Sequence, residues 1–235
     1  MRNSPSHLLW CTSLRLFKII VPAASKSETL LKALNDAPVV AILRRPKIDL
    51  QFCVETLISS GIRLIEITMD SNQAESFLRS KKPNKTVFYG AGTVTTVDLA
   101  KKALFAGAQF FVTPNFSPDV IHFAREHGVP ICTGAMTPTE IFSARNAGAD
   151  AIKVFPAGTL GAQYFREIRG PLPDIPLIAT GGITVANAAS FFEAGAMAIG
   201  VGSALIPKDN RKESTEAIAQ VAEKLLAAAR KSDKG

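Results

Sequence analysis

Along this chain, segments with apolar residues three and four positions apart give way to a glycine and then to a short apolar run. The pattern recurs in "SSGIRLIEIT", "FAGAQFFVTP", "EHGVPICTG", "NAGADAIKVFP" and "EAGAMAIGVG". Its glycines, Gly61, Gly107, Gly128, Gly148 and Gly195, are separated by 46, 21, 20 and 47 residues, one or two steps of a unit of roughly 20 to 23. Before the first of them, Leu50, Cys53, Val54, Leu57 and Ile58 make one apolar helical face. Glycine takes the left-handed conformation that follows a helix without penalty, so each marks a helix end, and the run beyond it reads as a strand. Two further runs, in "KKPNKTVFYGAGTV" and "GPLPDIPLIATGG", follow proline-bearing turns instead.

Strands are thus predicted near 39–43, 63–68, 86–91, 109–113, 130–132, 150–154, 176–180 and 197–201. Eight strand and helix units in one chain specify a closed parallel (β/α)8 barrel, the α/β TIM barrel. An open doubly wound sheet alternates the same elements, but it would carry G-x-G-x-x-G after its first strand. "GAGTVT", after the third, is only a fragment of that motif. The barrel is expected as a single domain over residues 28–235, behind a poorly ordered N-terminal extension of residues 1–27.

Such barrels carry their chemistry at the C-terminal strand ends. Here those ends hold Arg44, Glu66 with Thr68, Thr93, Thr113 with Asn115, Gly134, Lys153, Thr180 with Gly181 and Gly182, and Gly202 with Ser203. Alternation assigns the faces: Ile65 and Ile67 meet the helices and turn Glu66 inward, and Ile152 and Val154 do the same for Lys153. Arg44 shares its face with Ile42 and Val40, so three ionisable groups are expected to converge on one apolar mouth. A buried Glu66–Lys153 pair kept for structure alone is a poor bargain, because desolvation costs several kcal/mol per ion. A lysine withdrawn from water loses part of its preference for the charged state, and a neutral amine can attack a ketone, which is Schiff-base chemistry.

Competing chemistries lack their residues. His7, His122 and His127 offer no paired metal ligands, and there is neither a G-x-S-x-G elbow nor a Cys/His pair in recognisable context. No metal is expected. The glycines of "ATGGIT" and "GVGSAL", with the Ser203 hydroxyl, are expected to offer backbone N–H groups at helix starts, in the two loops where barrels commonly hold phosphate.

The net charge of +7 narrows the partner class. Arg2, Arg15, Lys18 and Lys26 stand in the first 26 residues without an acid, leaving +3 for the rest, with no basic stripe interleaved with aromatics. Nucleic acid is therefore not an expected partner, and a small anionic substrate suffices. No run approaches the roughly 18 apolar residues of a membrane span. The acidic-poor N-terminus has a transit-like composition, yet charges break its run "LRLFKII" and no clear cleavage site follows, so it reads as a plain extension. Cys11, Cys53 and Cys132 are odd in number and scattered, which fits a reducing cytosol better than a disulfide framework.

Taken in order, "VVAILR", "LIEIT", "GAGTVT", "VTPN", "GAMTPTE", "IKVFPAG", "TGGIT" and "GVGSAL" resemble the 2-keto-3-deoxy-6-phosphogluconate (KDPG) and 4-hydroxy-2-oxoglutarate (KHG) aldolases over roughly residues 30–232. The resemblance implies that Lys153 forms an imine with the C2 ketone and that Glu66 moves protons. It implies that Arg44 and Thr93 hold the pyruvyl carboxylate and line its pocket, with Pro114 and Phe155 as walls. Thr180 completes the expected substrate site, and Gly181, Gly182, Gly202 and Ser203 form the phosphate site. It also implies a cytosolic homotrimer without a cofactor, acting on a phosphorylated 2-keto-3-deoxy sugar acid.

Several relatives carry an arginine four residues after the glutamate, where this chain has Asp70, so Arg44 is expected to serve the carboxylate alone. "SNQ" and "VTPN" are similar to the branch acting on the phosphogalactonate epimer, "MTPTE" and "FPAG" to the gluconate branch. The gluconate substrate is the leading expectation, with its C4 epimer and 4-hydroxy-2-oxoglutarate as alternatives. Two other readings stand beside it: an isomerase or lyase in which Lys153 acts only electrostatically, and a non-catalytic barrel that senses a phosphorylated sugar acid.

Overall fold

The computed structural model describes residues 25–82, 86–206 and 214–232. In chain order its elements are α1 (Lys26–Asp36), β1 (Val39–Leu43), α2 (Leu50–Ser59), β2 (Leu64–Thr68), α3 (Ala74–Ser80), β3 (Phe88–Gly92), α4 (Val97–Phe105), β4 (Phe110–Val112) and α5 (Pro118–Glu126). There follow β5 (Ile131–Ala135), α6 (Pro138–Ala147), β6 (Ala151–Val154), α7 (Ala157–Arg169), β7 (Leu177–Thr180), α8 (Ala188–Glu193), β8 (Ala198–Val201) and α9 (Ser214–Ser232). Each strand pairs in parallel with its sequence neighbours, and β8 closes onto β1 with Val39 opposite Ile199 and Val40 opposite Gly200. This is the expected (β/α)8 barrel, not an open sheet.

The recurring glycines end helices as their spacing predicts: Gly61, Gly107, Gly128, Gly148 and Gly195 all have positive φ. At Gly148 the left-handed turn, φ 101°, lets its N–H return to the Arg145 carbonyl while the Ala149 N–H reaches that of Ala144. The chain is thereby redirected into β6. Only β5 departs much from its predicted span, running on to Ala135 because Gly134 and Ala135 pair with Lys153 and Val154.

Side chains alternate between two cores. Ile65, Ile67, Ile152 and Val154 pack outward against the helices. Val40, Leu64, Phe110, Val112, Cys132, Ala151, Ile178 and Ala198 fill the interior, and Leu30 and Leu34 of α1 pack with them. Helix α1 is therefore a plug across the N-terminal end of the barrel. It starts where it does because Ser25 and Glu28 form a capping box: the Glu28 N–H donates to Ser25 Oγ, and the Ser25 N–H to Glu28 Oε2. Such a cap is worth about 1 kcal/mol, and each buried leucine roughly 1.5–3 kcal/mol. The extension expected over residues 1–27, with His7 and Cys11, lies outside the described residues except for its last three, which cap and begin α1. Among the described residues no helix is long and apolar enough to cross a membrane.

Candidate active site

The inner face of the barrel becomes polar toward the C-terminal ends of its strands. Glu66, the middle residue of β2, is 2% exposed, and Lys153 of β6 is 8% exposed. Lys153 Nζ lies 3.8 Å from Glu66 Oε1, an ion pair longer than a hydrogen bond, and that oxygen has no hydrogen-bond partner among the described residues. Burial pushes the Glu66 carboxyl above the usual carboxylate range, against the opposing pull of the Lys153 charge and then of Arg44. A half-satisfied buried pair of this kind is costly as structure and suited to receiving a polar reactant.

The strand glycines make room for these groups. A Cβ on Gly92 would lie 2.6 Å from Cγ and Cδ of Glu66, so a side chain there would expel the carboxylate. Gly134 similarly lets the backbone of Pro114 and Asn115 close over β5. The Thr113 hydroxyl fixes that loop by donating to the Asn115 carbonyl at 2.7 Å and accepting from the Gly134 N–H at 3.1 Å. Thr113 and Asn115 thus work as supports and present Pro114.

Every residue expected in the site borders one cavity of about 670 Å³: Glu66 and Lys153 at its floor, with Arg44, Thr93, Pro114, Phe155, Thr180, Gly181, Gly182, Gly202 and Ser203 around them. The Phe155 ring centroid is 5.8 Å from Lys153 Nζ, and that ring packs against Gly181, where a Cβ would come within 2.8 Å of it. Thr93 follows Gly92 with φ 55°, a left-handed backbone that costs a non-glycine residue on the order of 1–3 kcal/mol and recurs at functional sites.

Two expectations need correction. Alternation carried through Arg44 predicts an inward side chain, but β1 ends at Leu43 and Arg44 already belongs to the following turn. Its side chain is 61% exposed and drawn sideways to Asp70, so it reaches the shared cavity from the rim. The glycine loop after β7, expected at a helix start, is a turn, because α8 begins only at Ala188, and in the loop after β8 the Gly202 carbonyl accepts from the N–H groups of Leu205 and Ile206. Both loops still face the cavity.

Arg45 and Lys47 also line this cavity, and sequence reasoning missed them. Their signal was the run "RRPK" beyond the first strand. Alternation would have sent Arg45 outward, whereas it adopts φ 45° and turns toward Asp70. His122 and His127 are structural: the first pairs with Glu126 at 3.1 Å, and the second stacks on Phe123 with ring centroids 4.1 Å apart.

Comparison with known proteins gives the same picture over most of the chain. The family model described as "Aldolase: KDPG and KHG aldolase" matches residues 30–221. A 2-dehydro-3-deoxy-6-phosphogalactonate aldolase of Escherichia coli is 35% identical over 182 residues, covering 76% of this chain and 89% of the relative. A 2-dehydro-3-deoxy-phosphogluconate aldolase of Treponema pallidum is 35% identical over 166 residues, covering 69% and 79% respectively. The solved native KDPGal structure superposes with a TM-score of 0.75 at 33% identity, covering 84% of this chain and 97% of that one.

Proposed function

Because the chain belongs to the KDPG and KHG aldolase family, we propose that it is a class I, Schiff-base aldolase that cleaves 2-keto-3-deoxy-6-phosphogluconate to pyruvate and glyceraldehyde 3-phosphate. The observation that carries this reading is the buried pair at the cavity floor: Lys153 within 3.8 Å of a Glu66 oxygen that has no hydrogen-bond partner among the described residues. The neutral Lys153 amine adds to the C2 ketone, and Glu66, whose carboxyl holds protons more tightly than usual, protonates the departing hydroxyl so that water leaves. The resulting iminium withdraws electrons from C3–C4. Removal of the C4 hydroxyl proton, by Glu66 or a water that it orients, breaks that bond and releases the aldehyde. The electron pair returns to C3 with a proton, and water hydrolyses the imine to pyruvate and free Lys153.

Arg44 at the rim serves the carboxylate, Thr93, Pro114, Phe155 and Thr180 bound the reacting carbons, and Gly181, Gly182, Gly202 and Ser203 hold the phosphate. The reaction needs no cofactor. A homotrimer is carried by resemblance, and a reducing cytosol is supported by the free, buried Cys53 and Cys132. A second substrate reading, the phosphogalactonate epimer, is supported by the longer match to the Escherichia coli enzyme of that name, 182 residues against 166 at the same 35% identity. Borohydride reduction in the presence of pyruvate tests the chemistry: Lys153 should gain the mass of a reduced pyruvyl group, and an unmodified lysine would leave an electrostatic role only. Cleavage kinetics on the two phosphorylated epimers, side by side, decide the substrate.

A further inference from the structure

Arg44 is an exposed side chain on a turn, and nothing in β1 fixes where its guanidinium goes. What fixes it is Asp70, on the turn after β2. The Asp70 Oδ2 accepts from Arg44 Nε at 3.0 Å and also pairs with Arg44 Nη2 at 3.0 Å. Arg45 Nη2 reaches the same oxygen at 3.0 Å, and Arg45 Nε donates to the Asp70 carbonyl at 3.1 Å. The Arg45 backbone is held in its left-handed conformation by its N–H donating 2.8 Å to Ser71 Oγ. Ser71 in turn hydrogen-bonds Thr68 at the end of β2, 3.1 Å between the hydroxyl oxygens. A chain of contacts therefore runs from the rigid end of β2 through Ser71 and Asp70 to the Arg44 guanidinium at the cavity rim.

We infer that Asp70 is a positioning residue: with Arg45 as its second tether, it fixes the Arg44 guanidinium at the rim and thereby sets how tightly the carboxylate of the keto acid is held. A lone exposed arginine would lose rotamer freedom on gripping a substrate, and ordering it beforehand removes that cost from binding. Asp70 uses only the Nε and Nη2 side of the Arg44 fork, which leaves further N–H donors for a second carboxylate. Burial acts to raise the Asp70 carboxyl, but Thr68, Arg44 and Arg45 outweigh it and hold it below the usual range, so it stays a charge at neutral pH. The opposite role, a competitor that occupies Arg44 until substrate displaces it, predicts the opposite sign on removal.

The inference rests on the aldolase reading, and the experiment separates the two. Wild type, Asp70→Asn, Asp70→Ala and Arg45→Ala are compared for cleavage of 2-keto-3-deoxy-6-phosphogluconate, for borohydride trapping with pyruvate, and for Tm. Positioning requires that Asp70→Asn raise KM roughly five- to tenfold with kcat within about twofold. Arg45→Ala should move KM the same way by less, and the lysine should still be trapped in every variant at saturating pyruvate. An unchanged or lowered KM in Asp70→Asn overturns the proposal. So does a fall in Tm with kinetics untouched, which would make the cluster purely structural. If Asp70→Ala does not fold, Asp70→Asn and Arg45→Ala still decide between these outcomes. Wild type that neither cleaves nor is trapped removes the aldolase reading, and this one with it.

Discussion

Replacing Gly92 by alanine isolates the requirement that Glu66 sit where it does. Gly92 is the last residue of β3, its backbone is not left-handed, and an alanine there meets no conformational penalty of its own. The added methyl would overlap Glu66 Oε1 most closely and lie 2.6 Å from its Cγ and Cδ, where ordinary contact begins at 3.4 Å. The carboxylate must therefore swing away by about 1 Å, a displacement that at a catalytic group costs on the order of a hundredfold in rate. Because the obstructing atoms belong to a flexible side chain, the loss of stability should stay near the low end of the roughly 1–3 kcal/mol typical of overpacking. Pyruvate release, followed through a coupled lactate dehydrogenase, should thus show kcat down about a hundredfold, with Tm lowered by only about 2–4 °C. Gly90→Ala is the control: the nearest atoms its methyl would meet all belong to the Phe110 ring, with Cδ2 at 2.6 Å. It should lower Tm at least as much while leaving kcat within a few-fold. A Gly92→Ala enzyme with wild-type kcat, or a Gly90→Ala enzyme equally slow, would refute the assignment of Glu66 as the proton carrier.

Other outcomes follow from the same geometry. Lys153→Met should abolish turnover and borohydride trapping while Tm holds, since a similar apolar volume replaces a buried amine and Glu66 can take up a proton; residual turnover measured in the coupled assay would contradict the imine. Ser203→Asp should raise KM for phosphorylated substrate about tenfold through like-charge repulsion and leave KM for 4-hydroxy-2-oxoglutarate nearly unchanged, as read from parallel saturation curves. Because burial raises the Glu66 carboxyl, the acidic limb of kcat/KM should fall off above the pH range of an ordinary glutamate. As pH drops through that raised value, Glu66 is already protonated in the free enzyme and can no longer take up the proton that Lys153 must lose before its amine attacks. Glu66→Gln should remove the limb along with most of the activity in a pH–rate profile.

The barrel was legible because its repeat is enforced locally. Five helices, α2, α4, α5, α6 and α8, leave through a left-handed glycine, and Gly61, Gly107, Gly128, Gly148 and Gly195 announce it whatever the rest of the chain does. Glu66 and Lys153 were legible for a related reason: inside a strand the period of two is rigid, so their branched neighbours fix their direction. That logic stops where pairing stops. Arg44 and Arg45 lie past Leu43, and their orientation comes from Asp70 and Ser71, partners some 25 residues away whose approach no local pattern encodes. A residue before proline ordinarily prefers extended backbone, so the left-handed Arg45 ran against its only sequence cue. Gly90 and Gly92 were visible as letters, but their use, as clearance for Phe110 and Glu66, depends on which side chain the neighbouring strand directs at them. Helix α1 escaped notice because it is mostly polar and lies before the repeat begins, and its Leu30 and Leu34 acquire meaning only beneath a closed sheet.

Among the described residues, helix α1 gives the barrel the form of a flask stoppered at its base, with its neck at the C-terminal strand ends. Leu30 and Leu34 border a space of only about 10 Å³ beneath Glu66 and Lys153, too little for traffic from below. For the proposed reaction, the water lost on imine formation, the outgoing aldehyde and the water that later frees the lysine all share one opening. Departure then becomes a queue: the phosphorylated fragment, nearer the neck, clears the way before hydrolysis liberates the fragment still tethered at the base.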